Sequence, residues 1–126
     1  MDSHRPLPPT VVLVEDDQAV RSALEFALGL ADFSVSTFAS GEDLLEHGVP
    51  DGPVCLVLDQ RLPGITGLDT LKRLRADRAE LAAVLVTSHP SSALRSAAAG
   101  AGVRILEKPL DATTLVDAIE EQARRT

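Results

Sequence analysis

Three acids in a row, Glu15, Asp16 and Asp17, close the aliphatic run VVLV at 11–14. Carboxylates about 5 Å apart repel by roughly 3 kcal/mol per pair at an effective dielectric near 20, so such a cluster needs water, a cation or a task. Another aspartate, Asp59, follows the apolar run VCLVL (54–58). Thr87 and Ser88 follow AAVLV (82–86), and Lys108-Pro109 comes just after VRIL (103–106). Three carboxylates converging on one point make a hard, oxygen-rich site of the kind that suits Mg²⁺. With Lys108 opposite and the Thr87 hydroxyl at the rim, a phosphoryl group could be held on Asp59. Phosphoryl transfer requires in-line positioning and neutralisation of the equatorial oxygens, and Asp59 would be the nucleophile that attacks phosphorus.

Those residues converge only if the elements between them do. The runs 11–14 (β1), 54–58 (β3) and 82–86 (β4) are near-continuous, as expected of parallel strands covered on both faces. FSVSTF at 33–38 (β2) and VRIL at 103–106 (β5) interleave polar with apolar residues, as edge strands do. Val20, Ala23, Leu24, Ala27, Leu28 and Ala31 form a helical stripe, and Ala112, Leu115, Val116, Ile119 and Ala123 form another. Shorter helices fit 41–47, 67–75 and 91–99. The Ser-Ala-Gly-rich last of these has the weakest stripe and is expected to pack least firmly. The pattern is a doubly wound α/β fold, a five-stranded parallel sheet in the order 2-1-3-4-5 with helices on both faces. Ligands of such sheets bind beyond the carboxyl ends of the strands, at the switch point between β1 and β3. Glu15, Asp16 and Asp59 meet there.

Composition sets the bounds. The 126 residues suit one domain, with residues 1–9 (MDSHRPLPP) as a disordered lead-in and 10–126 as the domain, leaving no room for an output domain. No apolar run approaches the ~18 residues of a membrane span, and the N-terminus has no signal-peptide h-region. A net charge of −7 argues against direct nucleic-acid binding. The single cysteine, Cys55, reads as core filler, and a cytosolic location is the simplest expectation. His4 and His47 carry no signal.

Together LVEDD, LDQRLPGITG, VTS and EKP, each at the end of its strand, resemble the receiver domain of two-component response regulators, a CheY-like member of the flavodoxin-like folds, from residue 10 to 124. The resemblance implies a role for each matching position. Asp59 is the phosphoacceptor. Glu15 and Asp16 are the acidic pair of the Mg²⁺ site, to which Asp59 and the Arg61 carbonyl also belong. Thr87 and Lys108 hold phosphoryl oxygens, and the peptide before Pro109 is cis. Arg61 and His89, two residues beyond Asp59 and Thr87, flank the path of the attacking water and modulate the lifetime of the phosphoryl group. Asp17 falls outside the pair and reads as the cap of the first helix. The implied partners are a sensor histidine kinase or phosphotransfer protein, with homodimerisation through the last helices and no membrane. The implied chemistry is self-phosphorylation and slow autodephosphorylation, not turnover of an outside substrate.

One departure stands out. Receiver domains usually carry an aromatic residue in the middle of β5 that acts with the switch threonine, and here Ile105 occupies that position. A shift of the loose fourth helix could carry the signal instead. Among rivals, a haloacid dehalogenase-type phosphotransferase would want an acid where Arg61 stands. A flavodoxin-like cofactor binder would want Ser, Thr and Gly at 15–18, where EDDQ repels phosphate, and no P-loop motif is present. The alternative that Ile105 keeps open is a receiver-like interaction module working without regulated phosphorylation.

Overall fold

The computed structural model describes residues 8–124. Strands and helices alternate throughout: β1 (Thr10–Val14), α1 (Gln18–Leu30), β2 (Val35–Phe38), α2 (Gly41–His47), β3 (Val54–Asp59), α3 (Gly67–Asp77), β4 (Ala82–Thr87), α4 (Ser92–Gly100), β5 (Arg104–Glu107) and α5 (Ala112–Arg124). All strand pairs are parallel and the order is β2-β1-β3-β4-β5, the topology predicted from the sequence.

The near-continuous apolar runs have their reason in the two faces. Alternate residues of a strand point to opposite sides. Val11, Leu13, Cys55, Val57 and Val84 pack with Leu28 of α1 and Leu115 and Ile119 of α5. Val12, Val14, Leu56, Leu58 and Leu85 pack with Leu44 of α2, Leu68 and Leu71 of α3 and Ala98 of α4. Every residue of β3 and β4 is buried, whereas β2 is half-buried along its length and β5 is exposed at both end residues, Arg104 and Glu107, as suits edge strands. Cys55 is core filler: burial pushes its thiol up to about 12. Four helices start on a side-chain cap, Asp17, Ser40, Thr66 and Ser91, each accepting the N–H three residues on, a contact typically worth about 1 kcal/mol.

The structure departs from the sequence pattern in four places. The second strand begins at Val35, not at residue 33, because Phe33 ends α1: its N–H donates to the Leu28 carbonyl (3.1 Å) while Asp32 takes φ +71°. This is a Schellman-type closure, and Gly102 (φ +68°) with Val103 repeats it after α4. The α1 stripe is only partly covered. Leu28 is buried and Leu24 and Ala27 half-buried, but Val20, Ala23 and Ala31 are exposed, and Phe26 and Leu30 are 69% and 70% exposed on the outer side. Nor is α4 singled out as the loosest helix, since α1 and α4 each bury one residue. Residues 1–7 of the expected lead-in, His4 among them, and residues 125–126 lie outside the described residues. Pro9, assigned to the lead-in, is buried.

Candidate functional site

Beyond the end of β1, the Glu15 N–H donates to the Phe38 carbonyl (3.0 Å), extending the pairing with β2 by one step. That step takes Glu15 into the interior, 3% exposed, and leaves Asp16 at the surface. Glu15 Oε2 accepts the Asp17 N–H (3.0 Å), and Asp17 Oδ1 accepts the Val20 N–H (3.0 Å). Asp17 is thus the helix cap that the sequence suggested and stands outside the acid cluster. One oxygen each from Glu15, Asp16 and Asp59 lies within 4.8 Å of the others.

Asp59, the last residue of β3, is opposite Val86 and 5% exposed. Arg61 N–H donates to its Oδ1 (3.2 Å). Lys108 is set by the neighbouring ladder: its N–H donates to the Thr87 carbonyl (2.9 Å), and Thr87 pairs with Glu107. Its Nζ lies 3.0 Å from Asp59 Oδ2 and 3.3 Å from Glu15 Oε1. The Lys108–Pro109 peptide is cis. Thr87 is buried, and its hydroxyl donates to the Ser88 carbonyl (3.3 Å). Arg61, Thr87 and His89 line one groove between the β3–α3 and β4–α4 loops, and His89 takes φ +49°.

The charges oppose one another in a readable way. Burial raises the Glu15 pKa, and the nearby Asp59 charge adds to this, while the Asp17 N–H and Lys108 pull it down; the net is upward. Burial tends to lower the Lys108 pKa, but the hydrogen bond and charge of Asp59, with Glu15 behind them, outweigh it and hold the ammonium protonated above its usual range. Both shifts are upward but act oppositely on charge: burial disfavours the Glu15 carboxylate, which is almost wholly buried, while the less buried Lys108, facing two acids, is favoured as the ammonium. Glu15 is therefore a costly carboxylate that one lysine does not fully compensate. A donor set of three carboxylates with a deficit of positive charge fits a small divalent cation.

Ile105 lies on the α4 side of β5, half-buried against the core cluster that includes Ala98 of α4. On that side Glu107 pairs with Arg95 (2.8 Å), and on the other side Arg104 pairs with Glu121 (3.2 Å). Three supporting residues have no counterpart in the sequence reading. Arg21 Nη1 donates to the carbonyls of Glu15 (2.8 Å) and Asp16 (3.4 Å). Gln60 Oε1 accepts the Leu68 N–H (2.8 Å) at the start of α3. Glu42 of α2 accepts the Ile65 N–H (2.9 Å), and that bond holds its carboxyl below the usual range. Arg21 left a sequence signal, because a cation near a helix N-terminus opposes the helix dipole. Glu42 reads as an ordinary acid of a helix's first turn.

The model of the response regulator receiver domain matches residues 11–120, and the chain belongs to that family. It is 36% identical over 117 residues to the transcriptional regulatory protein FixJ of Azorhizobium caulinodans, covering 92% of this chain and 56% of that protein. It is 34% identical to the C4-dicarboxylate transport transcriptional regulatory protein DctD of Pseudomonas aeruginosa, covering 86% of this chain and 24% of that one. The chain thus spans from about a quarter to somewhat over half of these relatives. The response regulator StyR superposes with a TM-score of 0.84 at 37% identity, over 94% of this chain and 61% of that one. A CheY-like receiver domain from Methanospirillum hungatei shares the fold with a TM-score of 0.83 at 20% identity, covering 93% and 94% of the two chains. Among the described residues no helix is long and apolar enough to cross a membrane.

Proposed function

We propose that this receiver domain takes a phosphoryl group from a phosphohistidine of a sensor kinase or phosphotransfer protein onto Asp59. The observation that carries the reading is the buried Asp59 carboxylate, 3.0 Å from the Lys108 ammonium at the edge of an acid cluster. One oxygen of Asp59 attacks phosphorus, the P–N bond to the imidazole breaks, and an acyl phosphate forms. Lys108 neutralises a phosphoryl oxygen, and the Thr87 hydroxyl turns from the Ser88 carbonyl to donate to another. Glu15, Asp16, Asp59 and the Arg61 carbonyl would hold Mg²⁺, which supplies further charge neutralisation when bound. Arg61 and His89, at the mouth of the groove, set how readily water reaches the acyl phosphate, so slow autodephosphorylation is the only hydrolysis expected.

The output surface is the α4–β5–α5 face, where the Arg95–Glu107 and Arg104–Glu121 pairs tie the three elements together and where a homodimer would form. A cytoplasmic setting and a longer regulator with a separate DNA-binding part accord with the transcriptional relatives. The second reading, an interaction module without regulated phosphorylation, draws on Ile105 in place of an aromatic. Intact mass after incubation with acetyl phosphate and Mg²⁺ separates the two. A gain of about 80 Da that requires both Mg²⁺ and Asp59, and is lost in Asp59→Ala, supports phosphotransfer. No gain together with no Mg²⁺ binding supports the docking module.

A further inference from the structure

Two cations reach the acid cluster, but they touch different atoms. Lys108 meets carboxylate oxygens of Glu15 and Asp59. Arg21 meets only main chain, with Nη1 2.8 Å from the Glu15 carbonyl oxygen and 3.4 Å from that of Asp16. Its side chain is half-buried and lies four residues past the α1 cap, Asp17.

The turn that Arg21 grips has a mechanical problem. Residues 15–17 bear three adjacent negative charges that push the backbone apart. Glu15 is held by the Asp17 N–H and Lys108, and Asp17 by its cap to Val20. Among the described residues no hydrogen bond or ion pair holds the Asp16 carboxylate, so its direction depends on its own backbone. Arg21 is the side chain fixed to that backbone. A guanidinium there neutralises part of the repulsion without occupying any carboxylate oxygen, which leaves those oxygens free for a cation.

We infer that Arg21 is a positioning residue for the divalent-cation site, clamping the 15–16 main chain so that the Asp16 carboxylate faces Asp59. The inference rests on the Mg²⁺ reading above. It opposes a simpler electrostatic expectation: a nearby positive charge repels a cation, so removing it should tighten binding. The clamp predicts the reverse, because residues that orient metal ligands typically contribute ten- to hundredfold in metal affinity.

The test is Mn²⁺ binding to the full chain, followed by the electron paramagnetic resonance of free Mn²⁺, with Mg²⁺ as competitor. Thermal melts identify which variants are folded. Arg21→Ala is expected to weaken Mn²⁺ binding roughly tenfold or more. Arg21→Lys keeps the charge but is shorter and lacks the rigid planar head, so it should restore affinity only in part. Asp16→Asn should lose at least as much as Arg21→Ala. A role limited to fold stability would lower the melting temperature and leave the affinity of folded protein alone. If wild type binds Mn²⁺ and Asp16→Asn does not, yet folded Arg21→Ala binds as well as wild type or better, the clamp is overturned and the site stands. If wild type itself binds no Mn²⁺, both ideas fall. Should Arg21→Ala not fold, Arg21→Lys decides: weaker binding upholds the clamp and unchanged binding overturns it.

Discussion

A methyl group on Gly67 would overlap the main-chain carbonyl oxygen of Asp59. Helix α3 begins against the backbone of β3, with the Gly67 N–H donating to the Gln60 carbonyl (3.2 Å). Because the clash is backbone against side chain at a buried position, neither partner can swing aside. Gly67→Ala should cost about 2 kcal/mol, which is roughly 5–10 °C of melting temperature for a chain of this size. Gly100→Ala is the control, since nothing lies within 4 Å of a Cβ there; helix propensity should make it neutral or stabilising. A Gly67→Ala protein that melts with wild type would show that the close approach is not needed.

Glu15 should be a cost to the metal-free fold. Its folded-state pKa is raised above the ordinary 4.5, chiefly by burial. A raised carboxyl pKa means that the folded state binds the proton more tightly. The associated stability is full below the unfolded pKa and lost as pH rises through the folded one. At about pH 7 without Mg²⁺, Glu15→Gln should therefore melt higher than wild type. The difference should shrink toward about pH 4, where wild type is protonated. Added Mg²⁺ should stabilise wild type more than the variant. A lower melting temperature for Glu15→Gln at neutral pH would mean that the lost Lys108 contact outweighs relief from burial.

The sequence carried the site better than it carried the helices around it. Glu15, Asp16, Asp59 and Lys108 were legible because a parallel strand order delivers all carboxyl ends to one edge, so strand ends alone predict convergence. The surroundings follow from contacts with no periodic signature. Phe33 extends the apolar pattern of β2, yet its N–H is committed to ending α1. Phe26 and Leu30 are apolar and exposed because α1 turns only a narrow stripe to the core. Arg21 and Gln60 act through main-chain atoms, which any sequence possesses, so only geometry reveals the pairing.

At the opposite end of the sheet, Arg75 of α3 ties two loops together. Its Nε and Nη2 donate to the Leu81 carbonyl (3.1 and 2.8 Å) and its Nη1 to that of Ala101 (2.5 Å). Partial burial lowers its pKa, and the guanidinium meets these two carbonyls in place of part of its water. Arg75→Met keeps much of the stem and leaves the Leu81 and Ala101 carbonyls without it, which should cost about 2 kcal/mol. Urea unfolding measures this as a lower midpoint with an unchanged slope. An unchanged midpoint would mean that water replaces the guanidinium at no cost.

The last prediction concerns how a β5 without an aromatic reports on Asp59. Ile105 is already half-buried on the α4 side, against the core cluster that includes Ala98. Two residues on, Glu107 shares that side and pairs with Arg95 of α4. Glu107 also precedes Lys108, so a main-chain shift of the lysine toward a phosphoryl oxygen would reach the Arg95 contact. An exposed pair of this kind contributes well under 1 kcal/mol, little enough to be broken by that movement. The expected route is a shift of α4, which buries only Ala98, between two packings, with no side chain swinging through the sheet. Beryllofluoride with Mg²⁺ should therefore change amide hydrogen exchange in residues 88–106 of wild type, with no change in Asp59→Ala. Weakening the latch by Arg95→Ala should raise exchange in α4 before any beryllofluoride is added. If exchange in 88–106 is the same with and without beryllofluoride while the compound is bound, α4 does not carry the signal.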